Sequence, residues 1–293
     1  MSPPAHPTQV KSGAQDARQR PGHQAVLVMA VLEAALVPGR HGRRMLAIAG
    51  PQGSGKTTLA TQVAAEARRR GLRVATLSLD DVYLGRRARG HLARTVHPLL
   101  ARRGPPGTHD IALACETLDA LAAGRTTRLP RFDKLRDGRL PPSRWPQTGP
   151  VDLTVIEGWC LQVPPQHPAA LREPLNALER EGDPDGSWRA ACNTALGRDY
   201  PALWSRLPPV VWLQPPEFSC VPRWRWQQEQ AMAAARPRLA AHAMTRPEVE
   251  RFVQLFERIT RHAMETMPPR AGMVLRLDEA RRVVAIDTAA GKG

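Results

Sequence analysis

Short apolar runs alternate with longer mixed segments along most of this chain. Met45–Ala49, Arg73–Leu79, Val151–Ile156, Val210–Leu213, Met273–Leu277 and Arg282–Ile286 have the length of buried strands and are too short for stable helices. Helical segments separate them. Gln24–Val37 stops at Pro38-Gly39, and Lys56–Arg70 stops at Gly71. A helix capped by Asp110 runs to about Ala122, and two more lie near 168–181 and 186–197. The last two span about 217–235 and 246–265, the second opened by Thr245 with Glu248 three residues on. Strands alternating with helices predict an α/β fold, a mostly parallel sheet with helices on both faces.

Around this frame the pattern is looser. Residues 1 to about 22 are Pro-, Gln- and Arg-rich with little apolar content and read as a disordered leader. The remainder, 23–293, reads as one domain with substrate-binding insertions at about 85–150 and 160–208 and a lid at about 216–245. Thr127–Pro150 reads as an ordered loop region with little regular structure.

The turn after the first strand carries chemistry. Gly50-Pro51-Gln52-Gly53-Ser54-Gly55-Lys56-Thr57 matches the phosphate-binding pattern G-x-x-x-x-G-K-[ST], placed between a strand and a helix as the chemistry requires. Its glycines allow successive N–H groups to converge on phosphate oxygens, and the helix N-terminus favours an anion. Nucleotide contacts are therefore expected from Gly50, Gln52, Gly53, Ser54, Gly55, Lys56, Thr57 and Thr58, making this a P-loop NTPase-type sheet. Lys56 would bridge the β- and γ-phosphates, and the Thr57 hydroxyl would bind Mg²⁺.

The next two strands end in acids. Ligands of open parallel sheets sit beyond the carboxyl ends of the strands. Leu77-Ser78-Leu79-Asp80-Asp81 offers Asp80 as a base for an attacking hydroxyl, with Asp81 capping the next segment. Two close carboxylates repel, which is expected to raise one of them and help it act as the base. Val155-Ile156-Glu157-Gly158 offers Glu157 as a carboxylate to hold Mg²⁺ through water. No Asn-Lys-x-Asp base-reading motif of a GTPase is present, and a single acid followed by glycine differs from the adjacent acids of motor and transporter ATPases.

The string Leu77-Ser78-Leu79-Asp80-Asp81-Val82-Tyr83-Leu84 resembles the second-strand signature of the uridine kinase, phosphoribulokinase and pantothenate kinase group, with Val82 in place of the usual aromatic. His97-Pro98-Leu99-Leu100, Arg103-Gly104-Pro105-Pro106-Gly107-Thr108-His109-Asp110, Pro130-Arg131-Phe132-Asp133-Lys134, Asp137-Gly138-Arg139 and Glu157-Gly158-Trp159-Cys160 narrow the resemblance to the D-glycerate 3-kinase family, over about residues 45–278. That resemblance implies an ATP- and Mg²⁺-dependent kinase for a small hydroxy acid, taking D-glycerate to 3-phosphoglycerate. A nucleoside, pantothenate or another sugar acid as acceptor, or a regulatory module with slow ATPase activity, stays open.

An anionic acceptor beside a triphosphate calls for several cations. Asp80, Tyr83, Arg103, His109, Arg131, Lys134 and Arg139 are the expected acceptor contacts, and Arg223 and Arg225 are candidates for a lid closing over the phosphates. Lys134 stands out because lysine occurs only at positions 11, 56, 134 and 292. The formal charge of +15 is otherwise arginine scattered along the chain, which reads as compositional bias and not as a nucleic-acid surface. Four distant cysteines form no ligand spacing. The most apolar stretch, Ala25–Val37, is too short to span a bilayer and contains Glu33, so neither a membrane nor a secreted location is expected, and the protein reads as cytoplasmic.

Overall fold

The computed structural model describes residues 23–37, 44–134, 136–235 and 243–288. The leader, the Pro38-Gly39 stop and positions 236–242 of the expected lid lie outside the described residues. In chain order the elements are α1 (Ala25–Leu36), β1 (Met45–Ala49), α2 (Lys56–Arg69), β2 (Val74–Ser78), α3 (Arg86–Thr95) and α4 (Ile111–Ala122). Four two-residue strands come next: β3 (Thr127–Arg128), β4 (Phe132–Asp133), β5 (Gly138–Arg139) and β6 (Gln147–Thr148). Then come β7 (Leu153–Gly158), α5 (Ala177–Gly182), α6 (Ser187–Arg198), α7 (Pro201–Trp204), β8 (Val211–Gln214), α8 (Cys220–Ala235), α9 (Arg246–Thr266), β9 (Met273–Leu277) and β10 (Val283–Thr288).

Six strands form one sheet in the order β2-β7-β1-β8-β9-β10, parallel throughout except for β10, which returns antiparallel to β9. Alternation along each strand divides the core in two. Leu46 and Ile48 of β1, with Leu153 and Val155 of β7 and Leu213 of β8, pack against α1 and α2. Ala47 and Ala49, with Ile156, Trp212 and Val274, face the layer containing α4, α6, α7 and α9. Each such aliphatic side chain removed from water contributes about 1.5–3 kcal/mol. Being covered on both faces, β7 is buried at all six positions.

From β1 the chain crosses to β2, two places away on one side, and β8 later fills the place on β1's other side. The sheet order therefore diverges at the carboxyl end of β1, where the phosphate-binding loop lies. A crevice at such a point is the expected ligand site of an open α/β sheet.

Two local expectations change. Arg86–Thr95, whose polar sequence gives no apolar period, is a helix. It is anchored by a guanidinium: Arg89 is buried and donates to Leu84 O, Ala101 O and Asp137 Oδ2. The 127–150 loop region contains two short antiparallel ribbons, β3–β6 and β4–β5, too brief to show in a hydrophobic pattern. Among the described residues no helix is long and apolar enough to cross a membrane.

Candidate active site

A cleft of about 1630 Å³ opens at the carboxyl ends of β1, β2 and β7. Its size exceeds the roughly 300–1,000 Å³ typical of a site for one small molecule, so it has room for a nucleotide and an acceptor together. Gln52 to Thr58 line its floor. Gly53 and Gly55 have φ of 75° and 97°, the left-handed region that favours glycine. Gly53 also lies so close to α8 that a Cβ there would stand 2.7 Å from Trp224 Cβ. Trp224 is fully buried and donates from Nε1 to Glu279 O, which ties the start of α8 to the turn between β9 and β10. Lys56 Nζ reaches the Pro51 carbonyl at 3.4 Å.

Strand register assembles the acidic side. Ser78 is the direct partner of Glu157 across β2 and β7, and Ser78 Oγ donates to Glu157 Oε1 at 2.6 Å. Burial raises the Glu157 carboxyl above its usual range, against the opposing pull of Lys56. Glu157 Oε2 is buried and has no protein partner among the described residues. Glu157 and the exposed Thr57 line the same cleft and are oxygen donors of the kind a hard divalent cation prefers. Beyond them the chain turns at Leu79–Val82 and presents Asp80. Gly158 makes this turn possible, because a Cβ there would meet Leu79 Cβ at 2.8 Å.

Asp80 accepts from Tyr83 Oη at 2.7 Å through Oδ1 and from Lys134 Nζ at 2.5 Å through Oδ2. Burial alone would raise its carboxyl, but the Lys134 ammonium and the Tyr83 hydroxyl outweigh it and hold Asp80 well below the usual carboxylate range. This corrects the expectation that repulsion between neighbouring acids raises the base. The raised member is Asp81, chiefly by burial. Asp81 does not cap a segment either: it pairs with Arg131 and accepts from Phe132 N, tying β4 to the β2 end.

The expected acceptor contacts divide by position. Lys134, Arg103 and Tyr83 line the cleft. Arg103 is aimed by Asp137 Oδ1 at 2.5 Å, and the tight turn after it places Gly104, with φ of 122°, directly against Phe256. Arg131 and Arg139 do not line the cleft. Arg131 is occupied by Asp81, Pro130 O and Thr76 O, while Arg139 holds Asp110 and Tyr83 O, so both brace the wall from behind. His109 is buried beneath Tyr83, ring centroids 4.7 Å apart, and bonds through Nδ1 to Tyr200 Oη. Of the two lid candidates, Arg225 lines the cleft, paired with Glu229 and stacked over Phe252. Arg223 does not; it turns to Glu279 on the β9–β10 side. Asp110 caps α4 as expected, accepting from Leu113 N.

A family model for the ATPase family associated with various cellular activities (AAA) matches residues 46–99, which hold the β1–loop–α2–β2 unit together with α3. The D-glycerate 3-kinase structure from Cryptococcus neoformans superposes with a TM-score of 0.72 at 26% identity, over 90% of this chain and 97% of that one. The chloroplastic D-glycerate 3-kinase of Arabidopsis thaliana is 32% identical over 64% of this chain and 41% of its own length. The uncharacterized kinase mug58 of Schizosaccharomyces pombe is 34% identical over 65% of this chain and 71% of its own. The chain belongs to the D-glycerate 3-kinase family.

Several cleft residues of this P-loop kinase were not among the expected site residues. Trp159, Phe252 and Phe256 line the cleft; Trp159 follows Glu157-Gly158 directly, but the two phenylalanines come from the distant α9. At the other end, Arg281 (φ 66°) reaches Gly53 O at 3.4 Å and Gln227 Oε1 at 2.8 Å, joining the β9–β10 turn to the phosphate loop and α8. Gln52 Oε1, Ser54 Oγ, Trp159 Nε1 and Arg225 Nη1 are buried without a protein partner among the described residues, and all four residues line the cleft. Buried polar atoms are normally satisfied, so this concentration fits a site built for a polar ligand.

Proposed function

We propose that this kinase transfers the γ-phosphoryl of ATP to a hydroxyl of a small hydroxy acid, with D-glycerate to 3-phosphoglycerate as the reaction. The observation that carries it is the convergence, in one cleft, of the phosphate loop with Lys56, the carboxylate of Asp80, and the cations Lys134 and Arg103. A triphosphate on the loop directs its terminal phosphate toward the ends of β2 and β7. Lys56 neutralises charge developing on the β- and γ-phosphates. Thr57 and Glu157 would hold Mg²⁺, which when bound screens the same phosphates. Asp80 accepts the proton of the attacking hydroxyl, and Arg103 and Lys134 receive the acceptor's carboxylate. Arg225 adds positive charge from α8. The family likeness to proteins named D-glycerate 3-kinase supports this acceptor over a nucleoside or pantothenate. Four buried free cysteines suit a reducing, cytoplasmic setting.

The test is ATP consumption by the purified full chain with and without D-glycerate, with the product identified by mass spectrometry. Stimulation with formation of 3-phosphoglycerate is expected. ADP release that no small acceptor accelerates would point to a regulatory ATPase instead.

A further inference from the structure

Both oxygens of Asp80 are occupied, one by Tyr83 and the other by Lys134. Each oxygen keeps a second lone pair, but a carboxylate held by a cation is a weaker base, so a donor that withdraws makes Asp80 readier to accept a hydroxyl proton. Tyr83 is poorly placed to leave: it is 5% exposed, bridges to His109 across the 82–84 and 108–110 segments, and packs edge-on against Phe132. Lys134 is 58% exposed and stands just past the β4 strand, on a flexible four-carbon stem. Of the neighbouring carboxylates, Asp81 is held by Arg131 and Asp137 by Arg86, Arg89 and Arg103, while Glu157 gives one oxygen to Ser78 and, in the reading above, the other to Mg²⁺. A released Lys134 ammonium therefore needs an anion that arrives with a ligand.

We propose that Lys134 is an acceptor-operated guard on Asp80: it ties up the carboxylate until the acceptor's own carboxylate draws the ammonium away. The inference rests on the kinase reading above and adds what couples acid recognition to the chemical step. With Lys134 on the acceptor carboxylate, Asp80 Oδ2 faces the acceptor hydroxyl. The hydroxyl oxygen then forms its bond to the γ-phosphorus as the bond to the β-bridging oxygen breaks. The hydroxyl proton passes to Asp80, and ADP leaves with the bridging oxygen. Water brings no carboxylate, so with water alone in the cleft Asp80 stays engaged and ATP is spared hydrolysis. The same device favours acids over neutral polyols.

The experiment uses the full chain as wild type, Lys134→Met and Lys134→Met/Asp80→Asn. Three rates are measured: ATP hydrolysis with no acceptor, transfer to D-glycerate and transfer to glycerol. In Lys134→Met, acceptor-free hydrolysis is expected to rise on the order of tenfold, a fraction of what a freed general base can supply. The preference for glycerate over glycerol in kcat/KM is expected to fall about 10- to 100-fold, the worth of one charge-assisted hydrogen bond. Adding Asp80→Asn should abolish the gained hydrolysis. A lost preference with hydrolysis unchanged would make Lys134 a plain acceptor contact and overturn the guard. Unchanged hydrolysis would also result if the γ-phosphate alone removed Lys134, which likewise overturns it. If glycerate is not the acceptor, wild type phosphorylates neither compound, and the acceptor-free arm still decides the guard by itself.

Discussion

Asp80 and Lys56 are both small targets for substitution, because neither supports the core. Among the described residues Asp80 bonds to Tyr83, Lys134 and the Ser78 hydroxyl, and Lys56 contacts the Pro51 carbonyl at a long 3.4 Å. Asp80→Asn keeps the shape and removes the proton acceptor, so transfer is expected to fall about 10²- to 10⁴-fold. Lys56→Ala removes the charge opposite the phosphates and should lower transfer at least as far. Circular dichroism and thermal melts should match wild type in both. Retained transfer in Asp80→Asn would remove the base assignment. At this scale the phosphate loop was fully legible, since its pattern is local and its chemistry is fixed by residue type. The arginines were not. Arg103, Arg131 and Arg139 look alike in sequence, and what separates them is their partners: Asp81 lies 50 positions from Arg131, Asp110 lies 29 from Arg139, and Asp137 lies 34 from Arg103.

The elements that carry the site depend on close approaches that only glycine allows. Gly158 ends β7 with ordinary backbone angles, so its requirement is purely one of space. Alanine there would place its methyl 2.8 Å from Leu79 Cβ and 3.0 Å from Leu161, and the 79–82 turn holding Asp80 would have to move. Overpacking of this kind costs about 1–3 kcal/mol. Gly158→Ala should lower the urea midpoint accordingly and depress kcat by displacing Asp80. Gly149→Ala, with open space around it, should change neither. Equal effects at the two sites would refute the steric account. Most strands and the long helices were legible because each is a run of its own period. α3 was not, since a buried guanidinium with three hydrogen-bonded carbonyl and carboxylate partners replaces the apolar stripe that marks a helix. The lid expectation is narrowed as well: fully buried Trp224 locks the first turns of α8 to the phosphate loop.

For the molecule as a whole, the α/β class followed from alternation, while the placing of β7 between β1 and β2 did not, because apolar strands carry no label for their neighbours. That placing is what sets Glu157 beside Ser78 and the phosphate loop. Global stability should also register one group that the sequence offered as an acceptor contact. His109 is 5% exposed, and burial lowers its ring from 6.5 to about 4, against a weaker upward pull from Asp80. His109 Nδ1 shares a hydrogen bond with Tyr200 Oη, which also accepts from Gly107 N, and among the described residues the buried Nε2 has no protein partner to stabilise a second ring proton. Between pH 6.5 and 4 the unfolded chain takes up a proton at this ring that the folded chain refuses. Its stability cost is therefore absent above pH 6.5 and grows as the pH falls toward 4. From pH 7 to pH 5 the loss amounts to about 2 kcal/mol. His109→Gln cannot take up this proton, and its urea-derived stability should drop by about 2 kcal/mol less than wild type over the same interval. The His23 and His262 rings, also lowered by burial, remain in both proteins and cancel from the comparison. Identical pH dependence in the two proteins would mean that His109 is protonated in the folded state, and the neutral ring beneath Tyr83 would have to be abandoned.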